Sequence, residues 1–237
     1  MAQSNVRGGE APCVLVYHGP RGAGTTETLR AIRRAFPRAR RSDVVARPSG
    51  VHPSLFVEHL RLHLRPSRPG DASLPLDLVA LPEHEALPLL VDLLRVADGV
   101  VFVADARATR VPDDRAALRN LERALARAGV DLARLPLAFQ WNKRDLPAAL
   151  PPDDLALAVG ARGRPCFCAA ATRGEGVLGP LREVVVAALR RRQRRARARE
   201  RRAGGARVGA GSTTDPAVPS FGGRRRGAAR GCARGAA

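Results

Sequence analysis

Residues 13–26 read CVLVYHGPRGAGTT, and the order of their parts decides the fold. Cys13 to Tyr17 is a short apolar run, the pattern of a buried strand. It runs into Gly19-Pro-Arg-Gly-Ala-Gly24-Thr25-Thr26, and Thr26 to Phe36 then reads as a helix, with Leu29, Ile32 and Ala35 or Phe36 on one face and arginines on the other. Strand, glycine-rich loop and helix in that order can cradle a phosphate. Backbone N–H groups turn inward around the anion, and the helix N-terminus adds its dipole. The spacing matches G-x-x-x-x-G-K-[S/T] with one departure, Thr25 at the lysine position. On this reading Gly19, Arg21, Gly22, Ala23, Gly24, Thr25 and Thr26 face the phosphates, and the Thr26 hydroxyl ligates Mg²⁺. Without the lysine, a glycine-rich turn of any α/β domain explains the stretch equally well.

Outward from this loop, strands and helices alternate. Residues 37–53 are rich in Pro, Arg and Ser and read as loop. Ser54–Leu64 alternates apolar and polar residues from Phe56 onward, as a half-exposed strand does. A proline-rich turn leads to a second strand at Leu74–Leu81, so the two form a hairpin. Glu85–Val96 reads as a helix, Gly99–Ala104 (GVVFVA) as a strand buried on both faces, and Pro112–Ala128 as a helix with Leu118, Leu121 and Leu125 on one stripe. Leu135–Trp141, Pro152–Val159, Pro165–Ala169 and a last helix from Gly176 complete the series. This spacing predicts an α/β domain: a mostly parallel six-stranded sheet with helices on both faces.

A second motif lies downstream. Asn142-Lys143-Arg144-Asp145 follows the apolar strand that ends in Trp141 and matches N-K-x-D, the guanine-reading pattern. An aspartate at Asp145 can accept from guanine N1–H and N2–H₂ together, which adenine cannot supply. The Lys143 stem can lie over the base, and Asn142 can tie this loop to the phosphate loop. The chain has 41 basic residues, and Lys143 is the only lysine among them. The abundance of Ala, Arg, Gly and Pro points to biased codon usage, and codon drift would have placed arginine there. Cys168-Ala169-Ala170, ahead of Gly174-x-Gly176, fits the short loop whose backbone amide touches the guanine carbonyl. The end of a core strand is the equal alternative.

Composition bounds the rest. The chain has 237 residues, 45% hydrophobic and 27% charged, which is globular and not wholly disordered. No run of 18 apolar residues predicts a membrane span. The opening MAQSNVRGGE lacks an apolar signal region, and four cysteines are too few for a disulfide scaffold. A cytoplasmic protein is expected. The formal net charge of +19 is uneven: Arg190–Ala237 holds 15 arginines against two acids. The expected organisation is a flexible leader at 1–12, a domain at 13–189, and an arginine-rich helical extension with a disordered basic tail at 190–237.

The stretches CVLVYHGPRGAGTT, ADGVVFVADA (97–106) and LPLAFQWNKRDLP (135–147) together resemble the bacterial gliding-motility (MglA-type) small Ras-like GTPases, over roughly Cys13 to Leu189. The resemblance implies a Ras-like P-loop GTPase fold, GTP/GDP and Mg²⁺ as cofactors, and slow hydrolysis aided by a GTPase-activating or effector protein. It also implies a monomeric domain serving a polarity or motility switch. Against that pattern, Thr25 removes the lysine that bridges the β- and γ-phosphates, and Arg21 stands where glycine is usual. Glu83 and His84 replace a glycine and the glutamine that orients water. His84 is the catalytic candidate and Arg21 a second; an exposed loop pair is the competing reading of Glu83 and His84. Ser54 is the hydroxyl nearest the position of the Mg²⁺-sensing threonine, with an ordinary strand-start serine as the alternative. The expectation is a guanine-nucleotide switch with weak or absent intrinsic hydrolysis. Two other functions stay open: a nucleotide-free pseudo-GTPase scaffold, and tethering to an anionic membrane or nucleic acid through the tail.

Overall fold

The computed structural model describes residues 11–48, 56–64, 73–81 and 87–204. The strands are β1 (Cys13–His18), β2 (Val45–Pro48), β3 (Phe56–Leu64), β4 (Leu74–Ala80), β5 (Gly99–Asp105), β6 (Leu137–Asn142) and β7 (Cys166–Cys168). The helices are α1 (Thr25–Ala35), α2 (Leu87–Val96), α3 (Val111–Ala128), α4 (Pro152–Val159) and α5 (Leu178–Gly204). They build one sheet in the order β2-β3-β4-β1-β5-β6-β7. β4, β1, β5, β6 and β7 are mutually parallel, while β3 runs antiparallel to both β4 and β2 at the edge. The α/β class and the mostly parallel sheet are as the sequence predicts.

The strand count is not. Among the described residues seven strands replace the expected six, because Val45–Pro48 pairs with β3 from Val45↔His59 to Pro48↔Phe56. This strand is four residues long, and an edge strand tolerates proline because one side of it has no ladder to serve. A segment of that length carries too little alternation to be read from sequence.

Burial follows the strand types. β5 is buried throughout, as its unbroken apolar run requires. In β3 the alternation holds: Leu60, Leu62 and Leu64 are buried while Arg61 and His63 are exposed. Leu29 and Ile32 of α1 and Leu181, Val184 and Val185 of α5 cover one face of the sheet over Leu15, Tyr17, Leu60 and Leu76. Leu89, Leu90 and Leu94 of α2 and Leu118, Leu121 and Leu125 of α3 cover the other, over Val16, Val100 and a row of rings formed by Phe102, Phe139 and Trp141.

β1 is central, with β4 on one side and β5 on the other. The chain therefore leaves β1 at a switch point, and the carboxyl ends of β1, β5 and β6 open on the same edge. In an open parallel sheet that crevice is where ligands bind. α5 spans 27 residues, and Arg192 pins it to the sheet: its Nε and Nη2 donate to Asp98 at 2.8 and 2.7 Å, and Nη1 and Nη2 also reach the carbonyls of Ala11 and Pro12. Among the described residues no helix is long and apolar enough to cross a membrane.

Candidate functional site

The turn after β1 closes tightly against the sheet. A Cβ on Gly19 would lie 2.0 Å from the Val103 carbonyl oxygen, so only glycine fits there. Gly24 has φ +98, and a Cβ on it would meet Asn142 Nδ2 at 2.4 Å. Gly24 is also the N-cap of α1 and supplies no side-chain cap. The amides of the first helical turn are thus left to an anion, as a phosphate site requires. Thr25 and Thr26 sit half-buried in that first turn. One turn deeper, buried Thr28 donates to the Gly24 carbonyl at 2.8 Å, and Gln140 Nε2 of β6 donates to the Thr28 hydroxyl at 2.8 Å. The loop is held from below by β6.

Asn142, at the end of β6, is 2% exposed and joins three loops. Its Nδ2 donates to the Ala23 carbonyl in the phosphate loop at 2.7 Å. Its Oδ1 accepts the Ala171 amide at 3.0 Å. The sequence reading gave the tie to the phosphate loop. It did not give the tie to Ala171, one residue beyond Cys168-Ala169-Ala170. In that triplet, Ala169 N–H donates to the Trp141 carbonyl and Ala170 N–H to the Glu175 carbonyl, so both amides are already engaged. Gly176 lets the loop close, because a Cβ there would stand 2.0 Å from the Cys168 carbonyl oxygen.

Lys143 is the one non-glycine residue with positive φ among the described residues, at 65°. This turns its side chain toward β5, where Nζ donates to Asp105 Oδ2 at 2.7 Å. Arg107 grips the same carboxylate in a fork, Nε to Oδ1 at 2.9 Å and Nη2 to Oδ2 at 2.6 Å. Burial alone raises the Asp105 pKa, but the hydrogen bonds from Arg107 and Lys143 outweigh it and bring it down to about 2. Asp145 is nearly buried and lies 3.6 Å from Arg173 Nε. Asp145, Lys143 and Asn142 thus stand together on one edge.

Arg21 is exposed. Its carbonyl accepts Arg110 Nη2 at 2.5 Å, and Arg110 also pairs with Asp113 at 2.7 Å. Arg21, Gly22, Arg107, Arg110, His18 and Lys143 line an open cleft of about 770 Å³ between the phosphate loop and α3. His18 is neutral there: burial pushes its pKa down to about 4, against the hydrogen bond to the Ala117 carbonyl. Asp114 accepts the Asp105 amide at 3.1 Å. Its carboxyl is pushed up to about 7, first by burial and further by the Asp105 charge.

Sequence reasoning assigned no role to Asp105, Arg107, Arg110 or Asp114. For Asp105 a signal existed, an acid closing a wholly apolar strand. For the others the contacts are made across turns that carry no period. Ser54, Glu83 and His84 lie outside the described residues, as does the tail at 205–237.

No family model matches the chain. It is similar to the mutual gliding-motility protein MglA of Myxococcus xanthus (strain DK1622), 32% identical over 185 residues that make up 78% of this chain and 94% of that protein. That identity over nearly the whole relative, on a parallel sheet with a glycine-rich loop after β1 and N-K-x-D after β6, shows that the chain belongs to the MglA-type family of small Ras-like GTPases, as a divergent member.

Proposed function

We propose that this chain is a cytoplasmic guanine-nucleotide switch that binds GTP and GDP and hydrolyses GTP slowly or not at all without a partner. The observation that carries the reading is the Asn142 knot. One buried side chain fixes the phosphate loop and the base-side loop against each other, which holds the two halves of a nucleotide site in register. Asp145 would accept the two guanine N–H donors, and the Lys143 stem would lie along the base. The uncapped N-terminus of α1 suits a phosphate. Mg²⁺ bound to nucleotide needs only one or two protein oxygens beside phosphate and water; Thr26 would supply one from the first turn, and Ser54 is the second candidate.

Thr25 is too short and uncharged to reach the bridging oxygens, so the charge-assisted contact a lysine makes is missing. Weak hydrolysis follows from that gap, and His84 and Arg21 are the residues that would orient water or offset the charge. A GTPase-activating or effector protein would complete the site. Titration of the purified chain with GTP, GDP, ATP and ADP tests this. Guanine nucleotides bind more tightly, and Asp145→Asn weakens them by about 1–3 kcal/mol, the cost of an unmet polar pair. Equal affinity for ATP and GTP, or no effect of Asp145→Asn, refutes the guanine assignment.

A second reading, a nucleotide-free scaffold, is favoured by one observation: Lys143 and Asp145 already have partners in Asp105 and Arg173. It predicts that no nucleotide binds.

A further inference from the structure

Helix α5 is anchored at Arg192, which is bound to Asp98 and to the carbonyls of Ala11 and Pro12 just ahead of β1. Beyond that anchor the helix continues to Gly204, and the described side chains from Arg194 to Arg201 are exposed. The stretch RRRQRRARARERR, residues 190–202, contains nine arginines, one acid and no apolar residue larger than alanine. In isolation this is a poor helix, because like charges four apart repel. At Arg191 partial burial, and after it the Arg195 charge, lower the pKa against the pull of Asp98. A polyanion would relieve the repulsion among the arginines.

The arrangement of the arginines narrows the partner. At about 100° per residue, Arg190, Arg194, Arg197 and Arg201 fall in one row, and all four are exposed. Arg191 and Arg195 start a second row about a third of a turn away, and Ala198 lies between the two. Gln193, Ala196 and Glu200 form an arginine-free stripe on another side. Arginine placed by codon drift alone has no reason to leave that stripe clear. A flat anionic surface meets one side of a rod, whereas these rows splay about a third of a turn apart. The major groove of a duplex is walled by two rows of phosphates and admits one α-helix. From Arg190 to Arg201 the helix rises about 17 Å, the length of about five base pairs at 3.4 Å each. With alanine toward the groove floor, no side chain there could read a base edge. With no aromatic in the stretch, stacking on single-stranded bases is not the mode.

We propose that the exposed part of α5 grips double-helical nucleic acid, its two arginine rows meeting the phosphates on the two walls of the major groove without reading sequence. This is independent of whether the domain holds nucleotide.

The test is fluorescence anisotropy of a labelled 20-base-pair duplex with the full chain, titrated between 50 and 200 mM salt. Binding should fall with a log–log slope of about −0.9 per phosphate engaged and be the same, within a few-fold, for two unrelated sequences. Arg190→Gln, Arg194→Gln, Arg197→Gln and Arg201→Gln together should flatten the slope by three to four and weaken binding at least a hundred-fold at 100 mM salt. The equal charge change Arg224→Gln, Arg225→Gln, Arg226→Gln and Arg230→Gln in the tail should cost ten-fold or less. Glutamine is a good helix former, and an unchanged thermal melt shows that each variant folds. Three results overturn the proposal: equal loss from both variants, no duplex binding at 50 mM salt, or tight binding to phosphatidylserine vesicles that the duplex cannot displace.

Discussion

Replacing Asn142 tests the joint on which the site depends. In Asn142→Ala, two buried backbone groups lose their partners together: the Ala23 carbonyl, 2.7 Å from Nδ2, and the Ala171 amide, 3.0 Å from Oδ1. An orphaned buried group costs about 1–3 kcal/mol. With some relief from water entering the space, the expected loss is about 3 kcal/mol. For a domain of this size each kcal/mol moves the melting temperature by about 2–4 °C, so a fall of about 6–12 °C is expected in thermal unfolding followed by circular dichroism. Asn142→Asp gives a sharper contrast. It keeps an acceptor for the Ala171 amide but sets a carboxylate oxygen against the Ala23 carbonyl, so at neutral pH it should be no more stable than Asn142→Ala. On acidification the new carboxyl protonates, its O–H can donate to that carbonyl, and part of the loss should return. A fall under about 2 °C for Asn142→Ala, or wild-type stability for Asn142→Asp at pH 7, refutes the assignment of the knot.

Two further predictions follow from the same edge. The Asp114 pKa is raised to about 7, above the ordinary unfolded value near 4, so the native state binds this proton more tightly. The stability it contributes is complete below about pH 4 and is lost as pH rises toward 7, at up to about 1.4 kcal/mol per pH unit. Asp114→Asn keeps the acceptor for the Asp105 amide and cannot ionise, so its advantage over wild type should grow between pH 5 and 7.5; parallel pH profiles of melting temperature would contradict this. If Arg21 offsets the missing lysine, Arg21→Gly weakens GTP more than GDP and added Thr25→Lys restores GTP binding. A coupling within about 0.5 kcal/mol of zero in the double-mutant cycle shows that the two positions act independently.

The parts of this molecule that were legible in the sequence are those that announce burial. GVVFVA at Gly99–Ala104 is apolar at every position because both faces of β5 are covered, and Leu118, Leu121 and Leu125 repeat at helical spacing because one stripe of α3 meets the sheet. The glycine loop was legible for a different reason: Gly19 and Gly24 are positions where any Cβ collides. What stayed hidden is contact between backbone and side chain across long separations. Asn142 reaches Ala23 over 119 residues and Ala171 over 29, and an alanine's composition does not say that its amide is wanted elsewhere. The tie from Asn142 to the loop after β7 was therefore not legible. β2 was hidden because it is short and its ladder serves only one side.

The same contacts explain why lysine occurs once in a chain that otherwise uses arginine. Asp105 is buried and offers two oxygens, and the fork of Arg107 occupies both. A further cation must therefore share an oxygen already bonded, approaching Oδ2 from the remaining direction. An ammonium at the end of a flexible stem can do this as a point charge, as Lys143 does at 2.7 Å. A second planar guanidinium would bring its own fork against that of Arg107, with like charge and no free pair of acceptors to meet it. Backbone geometry adds to the restriction, since residue 143 sits in the left-handed region at φ 65° and must turn its side chain back toward β5 from there. Lysine at this position thus follows from how much room Asp105 leaves. The loop at 142–145 is tied through the same carboxylate to the end of β5, whatever composition the rest of the chain has acquired.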